Sequence, residues 1–137
     1  MKPIFADTSY YLGLLNNDDQ WHEGVMRFTQ GFDGEMVTTA WVLTELANAM
    51  SHPDNRGVCV GFFEDLRSDP RVMIVGASQA LFDQGFDLYA HRLDKSWSLT
   101  DCISFVVMQQ QGLTEALTGD RHFEQAGFKA LLAQEEK

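Results

Sequence analysis

The chain has 137 residues, a formal net charge of −10, and 45 % hydrophobic against 22 % charged residues. That length supports one core of ordinary size, and the composition excludes a disordered chain. The acidic balance excludes a general nucleic-acid binder that works through a basic face.

Further classes fall away on residue spacing. Cys59 and Cys102 show neither CxxC nor Cys/His spacing, which points away from a zinc site and a disulfide and toward reduced thiols. No apolar run nears the ~18 residues a membrane span requires, and Asp7 breaks the N-terminal apolar run too early for a secretion signal. The expectation is a cytoplasmic protein with no membrane association, one domain over residues 1–137.

Taken in chain order, apolar runs and helical patterns alternate. Pro3 to Ala6 reads as a short buried strand ending at Asp7. Ser9 to Leu15 reads as a helix, with Tyr11, Leu12 and Leu15 on one face. After a polar break at Asn16 to Asp19, His22 to Phe32 is helical, with Gly31 and Gly34 at its exit. Glu35 to Thr39 is a second strand, and Trp41 to Met50 a helix. Ser51 to Arg56, with Pro53, reads as a loop, and Val58 to Leu66 as a helix. Val72 to Val75 is a third strand, and Ser78 caps a long helix to Leu93. Asp94 to Thr100 is a polar loop carrying Trp97. Asp101 to Gln111 is a helix stopped by Gly112. Glu115 to Leu117 is a fourth strand, Thr118-Gly119-Asp120 a turn, and His122 to Gln125 a short helix. Phe128 to Leu132 is a last strand or helix, and Gln134 to Lys137 a polar tail. Strands alternating with helices imply parallel pairing and a three-layer α/β fold.

This order sets four acids at one kind of place. Asp7 ends the first strand, Asp120 follows the fourth, Glu45 lies in the helix after the second, and Asp101 begins a helix. In an open parallel sheet, carboxyl strand ends and the helix starts beyond them line the ligand-binding edge. Carboxylates meeting there repel by roughly 3 kcal/mol per pair at ~5 Å and an effective dielectric of ~20. Protons or cations must offset that cost, and hard oxygen donors select Mg²⁺ or Mn²⁺. Each acid also has an ordinary reading: Asp7 as a helix cap, Asp101 as a first-turn acid, Asp120 as a turn residue, Glu45 as a solvent-facing side chain.

Four segments, in order, resemble the motifs of the PIN-domain family. IFADTSYYLGLL resembles the opening strand, Asp-Thr-Ser and helix. TTAWVLTELANAM resembles the second motif with Glu45, WSLTDCISFVVM the third with Asp101, and ALTGDRHFEQAGF the fourth with Asp120. The short length is similar to the VapC-type toxins. The resemblance implies a three-layer α/β/α sandwich with a central parallel sheet of four or five strands. It implies an Mg²⁺- or Mn²⁺-dependent endoribonuclease with Asp7, Glu45, Asp101 and Asp120 at its site, leaving 3′-hydroxyl and 5′-phosphate ends. Ser9 matches the hydroxyl that supports the first acid, and Thr100 is a candidate for similar work beside Asp101.

The resemblance also implies RNA as substrate, a homodimer, and a cognate antitoxin. An antitoxin segment is expected in a groove between Tyr10–Leu15 and Trp41–Met50, with a basic side chain reaching the acids. Arg92, Lys95 and Arg121 are candidates for phosphate contacts, and Trp97 for a contact with RNA or a partner. His122 reads as packing at a helix start, with a phosphate contact as the alternative. The alternative in another class is a non-catalytic RNA- or partner-binding PIN module, which gains nothing from four clustered acids. A phosphoryl-receiver domain wants a second acid just after the first, and DTSYY has none.

Overall fold

Each short apolar run becomes a strand of one sheet, and all pairings in it are parallel. The computed structural model describes residues 2–135. In chain order it has β1 (Ile4–Ala6), α1 (Thr8–Leu15), α2 (His22–Gly31), β2 (Met36–Thr39), α3 (Ala40–Ala49), α4 (Pro53–Ser68), β3 (Val72–Val75), α5 (Gln79–His91), α6 (Leu99–Gln110), β4 (Glu115–Leu117), α7 (His122–Gln125), β5 (Lys129–Ala130) and α8 (Leu131–Glu135). The five strands lie in the order β3-β2-β1-β4-β5, with helices on both faces, as expected of an α/β/α sandwich.

The buried centre of the sheet is β1, all three of whose residues are buried. Its register sets Phe5 beside Val37 on one side and Ala6 beside Leu117 on the other. From β1 the chain builds outward through β2 and β3, then crosses over and builds through β4 and β5 on the opposite side. The direction reverses between β1 and β4, and this switch point is where a parallel sheet opens a crevice at its carboxyl edge.

Local chemistry explains the helix starts. Thr39 and Ser78 accept from the backbone N–H groups of Val42 and Leu81 and cap α3 and α5, satisfying donors a helix cannot pair internally. Under the sheet, Phe105 of α6 stands edge-on to Phe123 of α7, ring centroids 4.9 Å apart.

Three expectations need correction. Ser51 to Arg56 is not wholly loop: α4 begins at Pro53, because proline's missing N–H costs nothing in a first turn. Leu99 and Thr100 belong to α6, whose cap is Ser98, so Asp101 is its third residue. Phe128 to Leu132 holds both a strand and a helix start, and the expected polar tail runs helical to Glu135; Glu136 and Lys137 lie outside the described residues.

The expected groove also moves. Helix α1 packs directly on α3, with Leu43 and Leu46 buried. The apolar groove beside α1, about 240 Å³, is walled instead by Tyr10, Leu14, Phe32, Met36, Phe62 and Leu66, from α1, α4 and the segment around β2. No helix among the described residues is long and apolar enough to cross a membrane.

Candidate active site

The β1–β4 register builds the floor of the site. Because Ala6 lies beside Leu117, the next residues, Asp7 and Thr118, emerge together at the switch point, and the Asp7 amide donates to the Leu117 carbonyl at 3.2 Å. Asp7 occupies the cap position of α1, but its side chain makes no cap bond. It accepts from the Thr118 hydroxyl at 2.8 Å and more weakly from Ser9 at 3.5 Å. Ser9 in turn lies 3.1 Å from the Thr118 hydroxyl and accepts from the Gly119 amide at 3.2 Å. The turn after β4 is thereby tied to the start of α1. Ser9 reaches the first acid weakly itself and mainly through Thr118, which sequence reasoning did not single out.

Asp101 takes part in a capping box. Its amide donates to Ser98 Oγ at 3.0 Å, and its carboxylate accepts from the Ser98 amide at 3.1 Å. The ordinary first-turn reading of Asp101 is therefore correct, and it coexists with a place at the site. Ser98 reaches this carboxylate through its backbone amide, not its hydroxyl; among the described residues the Thr100 hydroxyl bonds none of the four acids. Asp120 Oδ1 accepts from the His122 amide at 2.9 Å, which fixes the turn.

His122 joins the cluster instead of only packing at a helix start. Its Nδ1 lies 2.9 Å from Asp101 Oδ2 and 3.3 Å from Asp120 Oδ1. A carboxylate only accepts, so Nδ1 carries the proton in that contact. The signal for this was its position two residues after Asp120, on a helix start facing α6.

All four acids line one open cleft of about 340 Å³, with Thr8, Ser9, Ser98 and His122 among its other walls. Asp7 and Asp101 are 5 % and 8 % exposed, whereas Glu45 is half-buried on α3. Burial pushes the Asp7 carboxyl up to about 7; the Thr118 hydroxyl opposes this, and the charges of Asp101 and Glu45 add to it. Burial likewise raises Asp101, against the pull of His122 and the Ser98 amide, and the charge of Asp120 raises it further.

The donor set fits a divalent cation. Asp101, Asp120 and His122 each offer one ligand atom, all within 4.8 Å of one another. Both bonds to Asp101 end on Oδ2 and the amide bond to Asp120 on Oδ1. One oxygen of each acid thus has no hydrogen bond among the described residues. Asp7 and Glu45 face the same cleft but stand outside that spacing.

The candidate RNA contacts separate. Arg92 and Lys95 sit on the segment before α6, both near Asp94. Arg121 is exposed and paired with Glu124 at 3.0 Å. Trp97 is not on the surface: it is 5 % exposed, edge-on to Phe105, with Nε1 donating to Gln125 Oε1 at 2.9 Å. Its loop is polar, but its ring fills the core under α6. A β-carbon at Gly119 would overlap the Trp21 indole, so that tryptophan is packed over the turn that carries Asp120.

A cleft of acids at the switch point of a parallel sheet, with a hydroxyl relay behind the first acid, is the site of a PIN domain. The family model for the PIN domain matches residues 4–129, and the chain belongs to that family. Among its relatives is the 23S rRNA-specific endonuclease VapC20 of Mycobacterium tuberculosis, 26 % identical over 125 residues, 91 % of this chain and 95 % of that protein. The crystal structure of VapC20, described as a sarcin-ricin loop cleaving toxin, matches with a TM-score of 0.82 at 25 % identity, over 91 % of this chain and 95 % of that one. FitAcB from Neisseria gonorrhoeae matches with a TM-score of 0.64 at 20 % identity, over 93 % and 94 %.

Proposed function

We propose that this chain is a metal-dependent endoribonuclease and the toxin of a toxin–antitoxin pair, acting in the cytoplasm as one PIN domain. The observation that carries this reading is the convergence of Asp7, Glu45, Asp101 and Asp120 on one cleft, in a chain that spans nearly all of a ribosomal-RNA endonuclease.

Asp101 and Asp120 hold Mg²⁺ or Mn²⁺ through their uncommitted oxygens, with Asp7 and Glu45 completing the anionic field. Such an ion lowers the pKa of water and offsets the charge that develops on the phosphate. Thr118 and Ser9 orient the Asp7 carboxylate. Ser98 and His122 fix Asp101 from two sides, so its free oxygen keeps one direction. Glu45, at the rim on α3, orients the attacking water. Arg121 meets substrate phosphate at the mouth of the cleft.

Two partners belong to the same reading. A second copy of the chain is favoured by the exposed apolar side chains Phe82 and Phe86 of α5 and Met73 of β3. A cognate antitoxin silences the site, its apolar side chains in the groove of Tyr10, Leu14 and Phe62 and a basic side chain pairing with the acids.

The test is cleavage of ribosomal RNA by the purified protein with Mg²⁺, Mn²⁺ or EDTA, beside Asp101→Asn and Asp120→Asn. Cleavage that persists in EDTA, or in both folded variants at the parent rate, refutes the reading.

A further inference from the structure

A polyanion cut in an acidic cleft must be gripped by cations, and two of them stand next to it. The segment between α5 and α6 walls a second cavity of about 320 Å³, lined by Tyr89, Arg92, Lys95, Ser96 and Trp97 among others. Ser96 lines both this cavity and the acidic cleft, so the two are neighbours that meet at one residue.

The cationic groups there are held in place. The Arg92 guanidinium lies 4.8 Å from the centre of the Trp97 ring. That ring is itself locked by Phe105 and by its bond to Gln125. Stacking on a fixed indole pre-organises the guanidinium fork. The fork is bidentate on Asp94, with Nε and Nη2 at 3.0 and 3.1 Å from its two oxygens. Lys95 Nζ lies 3.8 Å from the same carboxylate. Two cations thus share one anion and keep a net positive charge in a chain of net −10. Two oxygens on an arginine fork are also the way a phosphate binds. Asp94 is exposed, and exposed ion pairs are weak enough to exchange.

We infer that Arg92 and Lys95 form a subsite for a backbone phosphate of the RNA beside the scissile bond, with Asp94 as the anion that this phosphate displaces. The inference rests on the ribonuclease reading and adds to it where the strand is held. Ser98, two residues beyond the shared Ser96, caps Asp101, so a phosphate seated here bears on the segment that positions the catalytic carboxylate.

The test is binding of a short fluorescein-labelled single-stranded RNA, followed by anisotropy in Mg²⁺ over a range of salt. The parent carries Asp101→Asn to suppress cleavage. Adding Arg92→Ala and Lys95→Ala should weaken binding by on the order of 10-fold and reduce the slope of log K against log salt by about 0.7, the value for one phosphate contact on a single strand. Adding Asp94→Asn instead should tighten binding by about 2- to 5-fold, an effect of opposite sign that loss of structure would not produce. An unchanged salt slope in the double variant, or weaker binding with Asp94→Asn, overturns the subsite and leaves the nuclease reading standing. No RNA binding by the parent at any salt removes both.

Discussion

Replacing Asp7 by Asn should make the metal-free protein more stable and inactive at once. Asp7 is buried, and its carboxyl titrates near 7 in the folded chain against 3.8 when free. A carboxyl raised on folding binds its proton better in the native state. The stability this contributes is complete below about pH 4 and is lost as pH rises through about 7. The shift is about three units, at ~1.36 kcal/mol each. An ionised Asp7 therefore costs the metal-free protein roughly 3–4 kcal/mol at pH 8. Asparagine keeps the shape and an acceptor for Thr118 but carries no charge. In EDTA the variant should match the parent near pH 4 and exceed it by roughly 3–4 kcal/mol at pH 8. Urea unfolding reads this as a midpoint about 1.5–2 M higher, for a slope near 2 kcal/mol per molar. If Asp7→Asn in EDTA at pH 8 unfolds at or below the parent midpoint, or if its advantage is the same at both pH values, the burial argument for Asp7 is wrong.

Other outcomes follow from the same geometry. Saturating Mg²⁺ or Mn²⁺ should stabilise the parent by about 2.7 kcal/mol at 100 times Kd, seen as a higher Tm, and Asp101→Asn should lose most of that gain. Asp101→Asn and Asp120→Asn, each folded by circular dichroism, should cut RNA at least ~100-fold more slowly, because a preorganised charge at the reacting centre is removed. Gly85→Ala should destabilise the fold by about 1–3 kcal/mol and lower activity with it. Its new β-carbon would overlap the Ile103 side chain and come within 3.1 Å of that residue's Cα, pushing on α6 two residues after Asp101; unchanged stability would mean that α5 and α6 part freely. Light scattering at micromolar concentration should give twice the 15.5 kDa chain mass, and a species of single-chain mass would refute the homodimer.

The sheet was legible because most of its strands are short apolar runs bounded by polar turns. The acids were legible through their place in chain order: Asp7 and Asp120 stand just beyond strands, and the register does bring their segments together. Hydrogen-bond partners were hidden, since they depend on that register. Thr118 looked like any turn residue until Ala6 paired with Leu117, and His122 reached Asp101 only once α7 lay against α6. Trp97 misled because a polar loop says nothing about the direction of one side chain, which here turns inward onto Phe105. Pro53 misled because a proline inside a helix and a proline that starts one look alike in sequence until the cap is seen.

The pairing of β1 with β4 joins residues 4–6 to residues 115–117, and Asp120 and His122 come later still. No amino-terminal fragment that stops short of β4 can assemble the cleft, whatever helices it forms. During synthesis, which proceeds at roughly 5–20 residues per second, the chain is harmless for nearly the whole of its time on the ribosome. A ribonuclease built this way has no cleft until its last strands are made, and products of interrupted translation carry the first acid without the means to use it.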